Sequence, residues 1–297
     1  MTKGALFLFI PFFFLLSCNT SEDKVPQTAT TGELKVAVDE SFWPIMKEEK
    51  DVFEYIYKYA TLHYERTDQD SAIKLLLLDS IKLAVVAREL NPTELSYLKS
   101  IKVYPKTYTF AQDGLLLLVN KESKDTAFTL TQLKDIATAK NPSKQLVFDR
   151  NRSAGLYSFV DLLDIKNAKL AGIYSVDSVQ ALIEHISRNK NAIGVLGSSW
   201  FGEEDNKKVK EWLTKVSVAS VSSDGISFYK VAQSEIADSL YPLSRPIYLI
   251  SRESQMSLAN GYAAFLLGEK GQRILLKAGL LPAKIPPREV VVSKKSY

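Results

Sequence analysis

Apolar and polar residues alternate from position 33 to 39 (ELKVAVD), which predicts a half-buried strand, and Ser41-Phe42-Trp43-Pro44 then turns the chain into a helix expected to run to about Thr61. A short strand is predicted at 62–64 and a helix over 71–78. An apolar run at 82–87 reads as a buried strand that ends on Arg88 and Glu89. Asn91-Pro92-Thr93-Glu94 opens another helix, with an N-cap residue followed by proline at the first helical position. The stretch 113–120 (DGLLLLVN) is apolar without alternation, so it should be buried on both faces. Further along, helices are predicted over 130–136 and 177–186, and strands over 192–197, 216–221 and 247–250, the last with Pro246 at its mouth. One helix is expected over 257–277, interrupted by Gly268 and Gly271 and stopped at Gly279-Leu280-Leu281-Pro282. Alternating strands and helices imply an α/β protein with parallel sheets, whose ligands sit beyond the carboxyl ends of the strands. The loops that begin at Asp39, near Gln69 and at Ala87 meet that condition.

The segment 146–159 (LVFDRNRSAGLYSF) carries the most suggestive local chemistry. Leu146, Val147 and Phe148 read as a strand, and Leu156, Val160 and Leu163 recur at helical spacing. The turn between them, Arg150-Asn151-Arg152-Ser153-Ala154-Gly155, sets two guanidinium groups, a hydroxyl and a glycine beside the amino end of a helix. First-turn N–H groups lack intrahelical partners and the dipole favours negative charge there, so the turn outlines an anion site. The alternative is a surface loop with solvated arginines.

At the amino terminus Lys3 precedes an apolar run from 5 to 16, too short to span a membrane and suited to an export signal, which closes on Leu15-Leu16-Ser17-Cys18. This resembles a bacterial lipobox, which implies cleavage before Cys18 and lipidation of its sulfur. Residues 1–17 are then the signal peptide, 18–32 a polar flexible tether, and the acyl chains an anchor that does not cross the bilayer. Cys18 is the sole cysteine of the chain, so no internal disulfide is possible. The last residues, 289–297, form a basic tail.

Composition narrows the remaining classes. The chain has 297 residues, 46% hydrophobic and 24% charged, which is ordinary for a globular protein and argues against extended disorder. A net charge of +4 without a lysine or arginine block gives no support to a nucleic-acid partner. His63 and His185 lie far apart, and no HExxH, CxxC or GxxxxGK[ST] pattern occurs, so neither a metal site nor a cofactor site is expected. Without a histidine or cysteine near the arginine turn, a nucleophile with a positioned base is missing and an enzyme is not expected.

Several segments in one order carry a resemblance. They are Ala111-Gln112-Asp113-Gly114 before the apolar strand ending Val119-Asn120, then Leu130-Thr131-Gln132-Leu133, the Arg150 turn, and 192–197 (AIGVLG). Tyr241-Pro242-Leu243-Ser244-Arg245-Pro246-Ile247-Tyr248 and Gly271-Gln272-Arg273-Ile274 with 279–282 (GLLP) complete the set. Together they resemble the periplasmic phosphate-binding proteins of ABC transporters, over roughly residues 34–282. The resemblance implies a two-lobed type II periplasmic-binding-protein fold, each lobe a mostly parallel sheet flanked by helices, with two crossover strands as hinge. Lobe 1 would comprise 33–110 and 252–288 and lobe 2 would comprise 111–251, with the strands 114–119 and 247–250 side by side as the crossovers. By the same resemblance the ligand-binding residues are Ser41, Phe42, Arg88, Arg150, Arg152, Ser153 and Gly155. The implied partners are phosphate or a similar small anion, an ABC transporter permease, and a membrane reached through the lipid anchor; a monomer is expected.

The ligand loops depart from the family pattern. Ala154 and Leu156 stand where the family has hydroxyl residues, Arg152 stands where many members have an aspartate, and Ala87-Arg88 replaces a Ser-Asp or Ser-Arg pair. Asp39, Glu40 and Asp70 are the carboxylates nearest by loop position to replace a missing acceptor. For Arg88 the alternative to a ligand contact is an ion pair with Glu89 or Glu94, for Arg152 a solvated side chain, and for Phe42 packing. A solute-binding lipoprotein that delivers an oxyanion to a permease is thus set against an envelope sensor or scaffold that kept the fold and lost uptake or binds a different phosphorylated ligand.

Overall fold

The structure is a computed structural model, described here for residues 26–202, 206–253 and 256–286. The lipobox with Cys18, the signal peptide, most of the tether and the basic tail lie outside the described residues. Strand β1 (Gly32–Asp39) leads through a one-turn 3-10 helix (Glu40–Phe42) into α1 (Trp43–Ile56). Then follow β2 (Ala60–Thr67), α2 (Gln69–Leu77), β3 (Leu83–Val86) and α3 (Pro92–Ser100). β1 pairs in parallel with β2 and β3, and the N-cap expected at α3 is present as part of a capping box, Asn91 and Glu94 each bonding the other's backbone N–H. The first helix stops at Ile56, short of Thr61, because Ala60 onward is drawn into the ladder with β1.

β4 (Lys106–Asn120) is nearly twice as long as the sequence pattern suggested, since its polar first half belongs to a different sheet from its apolar second half. After it come β5 (Ala127–Thr129), α4 (Leu130–Ala137), β6 (Gln145–Phe148), α5 (Ala154–Leu162), β7 (Ile173–Ser175), α6 (Val179–Arg188) and β8 (Ala192–Gly197). A second 3-10 turn (Ser198–Trp200), α7 (Lys207–Lys215), β9 (Val216–Ser222), α8 (Gln233–Ala237), β10 (Ser244–Ser251), α9 (Leu258–Leu266), α10 (Glu269–Lys277) and β11 (Leu281–Pro282) complete the chain. β6 runs parallel to both β7 and β8, and β5 parallel to β9.

The strand order β2-β1-β3-β10-β4-β8-β6-β7 makes β4 the element shared by both halves. Its residues 106–114 pair antiparallel with β10, and its residues 115–120 pair with β8 and β9. The strands that carry the two apolar segments are neighbours, but the segments themselves do not face each other. Residues 247–250 face 107–111 of β4, and the segment 114–119 continues past β10 into the second sheet. Side chains divide accordingly. Phe110, Ala111, Ile247 and Leu249 pack with β1 and α9, whereas Leu115, Leu117 and Val119 enter a core under α5 and Leu116 and Leu118 one under α6. Period-two alternation sends successive leucines to opposite faces, so the unbroken apolar run fills two cores at once.

The single carboxy-terminal helix expected from sequence is two helices that meet at Leu267-Gly268. A Cβ at Gly271 would lie 2.6 Å from Leu266 O and 2.7 Å from Phe265 O, so the start of α10 can cross the end of α9 this closely only without a side chain. α7 escaped the pattern because it buries just Val209 and Trp212.

Candidate functional site

The carboxyl ends of β1, β2 and β6, the middle of β4 and the start of β10 converge on one group of charged side chains. Asp39 closes β1, and its Oδ1 accepts the Ser41 N–H at 2.8 Å. Burial pushes the Asp39 carboxyl up to about 6, against the opposing pull of the Ser41 hydrogen bonds and Arg245. The next residue, Glu40, accepts from both Nε and Nη2 of Arg66, at the end of β2, and its Oε1 lies 3.3 Å from Nη2 of Arg150. Arg66 also lies over the Trp43 ring, 4.9 Å from its centroid.

Arg150 stands in the turn between β6 and α5, the strand–loop–helix order predicted for it. In the same turn Asp149 is buried, which raises its carboxyl above the usual range despite Arg245, Arg150 and Ser153 nearby. Ser153 caps α5 by accepting the Leu156 N–H at 3.2 Å, and Gly155 is buried in the first turn. A Cβ at Gly155 would meet nothing closer than Ser153 Oγ at 3.5 Å, an ordinary contact. Arg152 adopts the left-handed conformation (φ 66°), and its exposed side chain meets Tyr157, with Asp68 and Asp70 nearby.

Beneath this group lies a fixed hub between the two long strands. Asp113 of β4 and Arg245 of β10 are cross-strand partners, with Asp113 Oδ2 accepting Arg245 Nε at 3.1 Å and Nη2 at 2.8 Å. Asp113 Oδ1 accepts the Ser198 backbone N–H at 2.9 Å and its hydroxyl at 2.6 Å. Arg245 rests over the Phe42 ring, 4.9 Å from its centroid, and a Cβ at Gly197 would come within 2.9 Å of both Arg245 Nη2 and Asp113 Oδ2. Ser199 Oγ donates to Ser41 O at 2.8 Å, tying the β1 turn to the β8 turn.

Arg88 sits apart from Arg150. Its guanidinium forks onto Glu94 at 2.9 and 3.0 Å and reaches Asp70 at 3.2 Å, one of the ion pairs the sequence offered as the alternative to a ligand contact. With Gln69 and Asp70 it faces Leu156, Tyr157 and Val160 of α5 across a cavity of about 440 Å³. Ser41, Phe42, Arg150, Ser153 and Gly155 thus gather round the hub, Arg88 lines the neighbouring cavity, and Arg152 stands at the rim. Phe42 is fully buried under Arg245, and the Ser41 amide is committed to Asp39. Sequence reasoning overlooked Arg66, Asp149 and the Asp113–Arg245 pair. The position of Arg66 and Asp149 at carboxyl ends of strands was the available signal.

The PBP superfamily domain matches residues 24–270, and the chain belongs to that superfamily. Its mixed α/β architecture is the type II periplasmic-binding-protein fold. Phosphate-binding protein PstS of Staphylococcus saprophyticus is 24% identical over 261 residues, covering 81% of this chain and 77% of the relative. Among solved structures, one from Clostridium perfringens with bound phosphate, described as a phosphate ABC transporter substrate-binding protein, superposes with a TM-score of 0.69 at 20% identity. It covers 85% of this chain and all of the other (100%). An ABC-type phosphate transport receptor from Vibrio cholerae gives 0.65 at 19% identity, over 84% of this chain and 100% of its own.

Proposed function

We propose that the chain is a membrane-anchored solute-binding lipoprotein that captures phosphate or a related oxyanion between its lobes for an ABC-type importer, and that it is not an enzyme. The observation that carries this is the meeting of Arg150, at the family's arginine position, with Arg66 on a single carboxylate. Two guanidiniums converging where strand ends adjoin are a seat for an oxyanion, since charge-assisted hydrogen bonds contribute about 1.5–3 kcal/mol each. In this reading Arg88, Ser41, Phe42, Arg152, Ser153 and Gly155 surround or shape the ligand cleft, Cys18 carries the lipid, and the exported chain faces the periplasm as a monomer beside its permease. We also infer a lobe boundary between Leu243 and Ile247 in the returning strand, because Leu243 packs in the second core and Ile247 in the first.

A second function is favoured by one specific feature, the engagement of the loop arginines by the protein's own carboxylates together with apolar Ala154 and Leu156 in place of hydroxyls. That combination suits an envelope sensor or scaffold, or a receptor for a different phosphorylated ligand. Isothermal titration of the soluble fragment from Asn19 with phosphate, sulfate and a phosphate monoester separates the two. Saturable binding of at least one anion at micromolar concentration is expected; silence toward all three leaves the scaffold.

A further inference from the structure

The Glu40 carboxylate is nearly enclosed, its side chain 8% exposed, while the two arginines it holds are 40% and 42% exposed. Glu40 is thus the enclosed partner, held between two guanidinium side chains that are each partly open to solvent. Burial, and after it repulsion from Arg150, lowers the Arg66 pKa, and an anion between the two guanidiniums offsets that repulsion. Glu40 supplies that anion from the turn at the end of β1, which packs against α5 and β8 across the cleft.

We propose that Glu40 is a built-in competitor at the anion seat: its carboxylate occupies the place between Arg66 and Arg150 that an oxyanion ligand takes by displacing it. This rests on reading the cleft as an anion site and adds what that site selects. A ligand with one negative charge exchanges like for like with Glu40 and gains little. A dianion brings a second charge and a third oxygen to the same two forks, so it is the class that wins. Glu40 is then a specificity-determining residue that excludes chloride and monocarboxylates and sets a weakened affinity for phosphate or sulfate dianions.

The test compares the parent, Glu40→Gln and Glu40→Gln/Arg66→Ala by titration with phosphate and sulfate at low ionic strength, alongside thermal melting. Glu40→Gln is expected to bind phosphate about ten-fold tighter than the parent, and the double variant to lose that gain, because removing the competitor leaves two unpaired arginines. If Glu40→Gln unfolds without added anion, refolding by millimolar phosphate or sulfate supports the proposal. Should neither anion restore it, Glu40→Asp replaces it, one methylene short of the arginines, and tighter phosphate binding than in the parent is expected. A parent that binds phosphate while the Glu40 variant binds no tighter overturns the competitor and leaves the phosphate receptor intact. A silent parent beside a binding Glu40 variant supports the competitor and overturns the receptor in its native form. Silence in every variant overturns both.

Discussion

Neither carboxyl oxygen of Glu49, on the buried face of α1, has a hydrogen-bond partner among the described residues, and burial, aided by Glu48, pushes its pKa up to about 9. Its neighbours include the buried Tyr64–Tyr262 hydroxyl pair, so its surroundings are protein on all sides. The folded state keeps this proton between the ordinary value of 4.5 and about 9, whereas the unfolded chain releases it. Stability therefore falls as pH rises through that window, by about 3 kcal/mol at pH 7, which lies roughly 2.5 units above the unfolded value. Glu49→Gln should remove most of that loss, and urea melts at pH 6 and pH 8 should then differ less than in the parent. An unchanged pH slope contradicts the assignment. At the surface of the cleft, Arg150→Ala is expected to weaken phosphate binding by about 2–4 kcal/mol without unfolding, and Arg152→Ala, whose exposed side chain is engaged with Tyr157, by well under 1 kcal/mol. Equal losses in a titration would show that Arg152 also contacts the ligand.

At the scale of elements, β4 and β10 are held to each other by the Asp113–Arg245 pair, both side chains almost wholly buried (0% and 2% exposed). Asp113→Ala leaves a guanidinium enclosed without its counter-charge and strips Ser198 of its acceptor, so a destabilisation of about 3–5 kcal/mol is expected in denaturant unfolding. Loss of under 1 kcal/mol would mean that Arg245 finds water or another carboxylate. Gly271 offers a test of opposite sign to helix propensity. Alanine is the better helix former by about 1 kcal/mol, yet its methyl would meet the backbone carbonyls of α9, so Gly271→Ala should destabilise by about 1–3 kcal/mol. A stabilised variant would place the α9–α10 crossing further apart than described.

For the whole molecule, the two halves are joined by β4 and β10 and by polar contacts that include Ser199 to Ser41, Arg150 to Glu40, and Gln233 to the carbonyls of Leu276 and Leu280. A ligand bound between the lobes would add contacts found only in the folded chain, so its stabilisation grows as the logarithm of its concentration. Millimolar phosphate should raise the melting temperature of the parent and do far less for the Arg150→Ala variant. An unchanged parent melting temperature speaks for the scaffold. Anchoring belongs to the same scale: if Cys18 is lipidated, Cys18→Ala should move the protein from the membrane fraction to the soluble one or leave it uncleaved. An unmodified cysteine in soluble mature protein would sink the lipoprotein assignment.

Periodicity and punctuation along the chain by themselves determined the α/β class, the Asn91 N-cap with Pro92 after it, the strand–turn–helix around Arg150, and the burial of residues 115–119 on both faces. These follow from local rules, since apolar period and cap residues act within a few positions of one another. What the tertiary structure decided was partnership. Arg66 reads as a polar residue at a strand end until β2 is laid beside β1 and brings it to Glu40. Arg88 reads equally as ligand contact or ion pair until α3 presents Glu94 and α2 presents Asp70. The offset between β4 and β10 was likewise invisible, because a strand's pattern reports which faces are buried and not which residue of its neighbour it meets. Charged side chains choose partners from whatever strand ends the topology makes adjacent, and that adjacency is set by the whole sheet order rather than by any stretch of sequence.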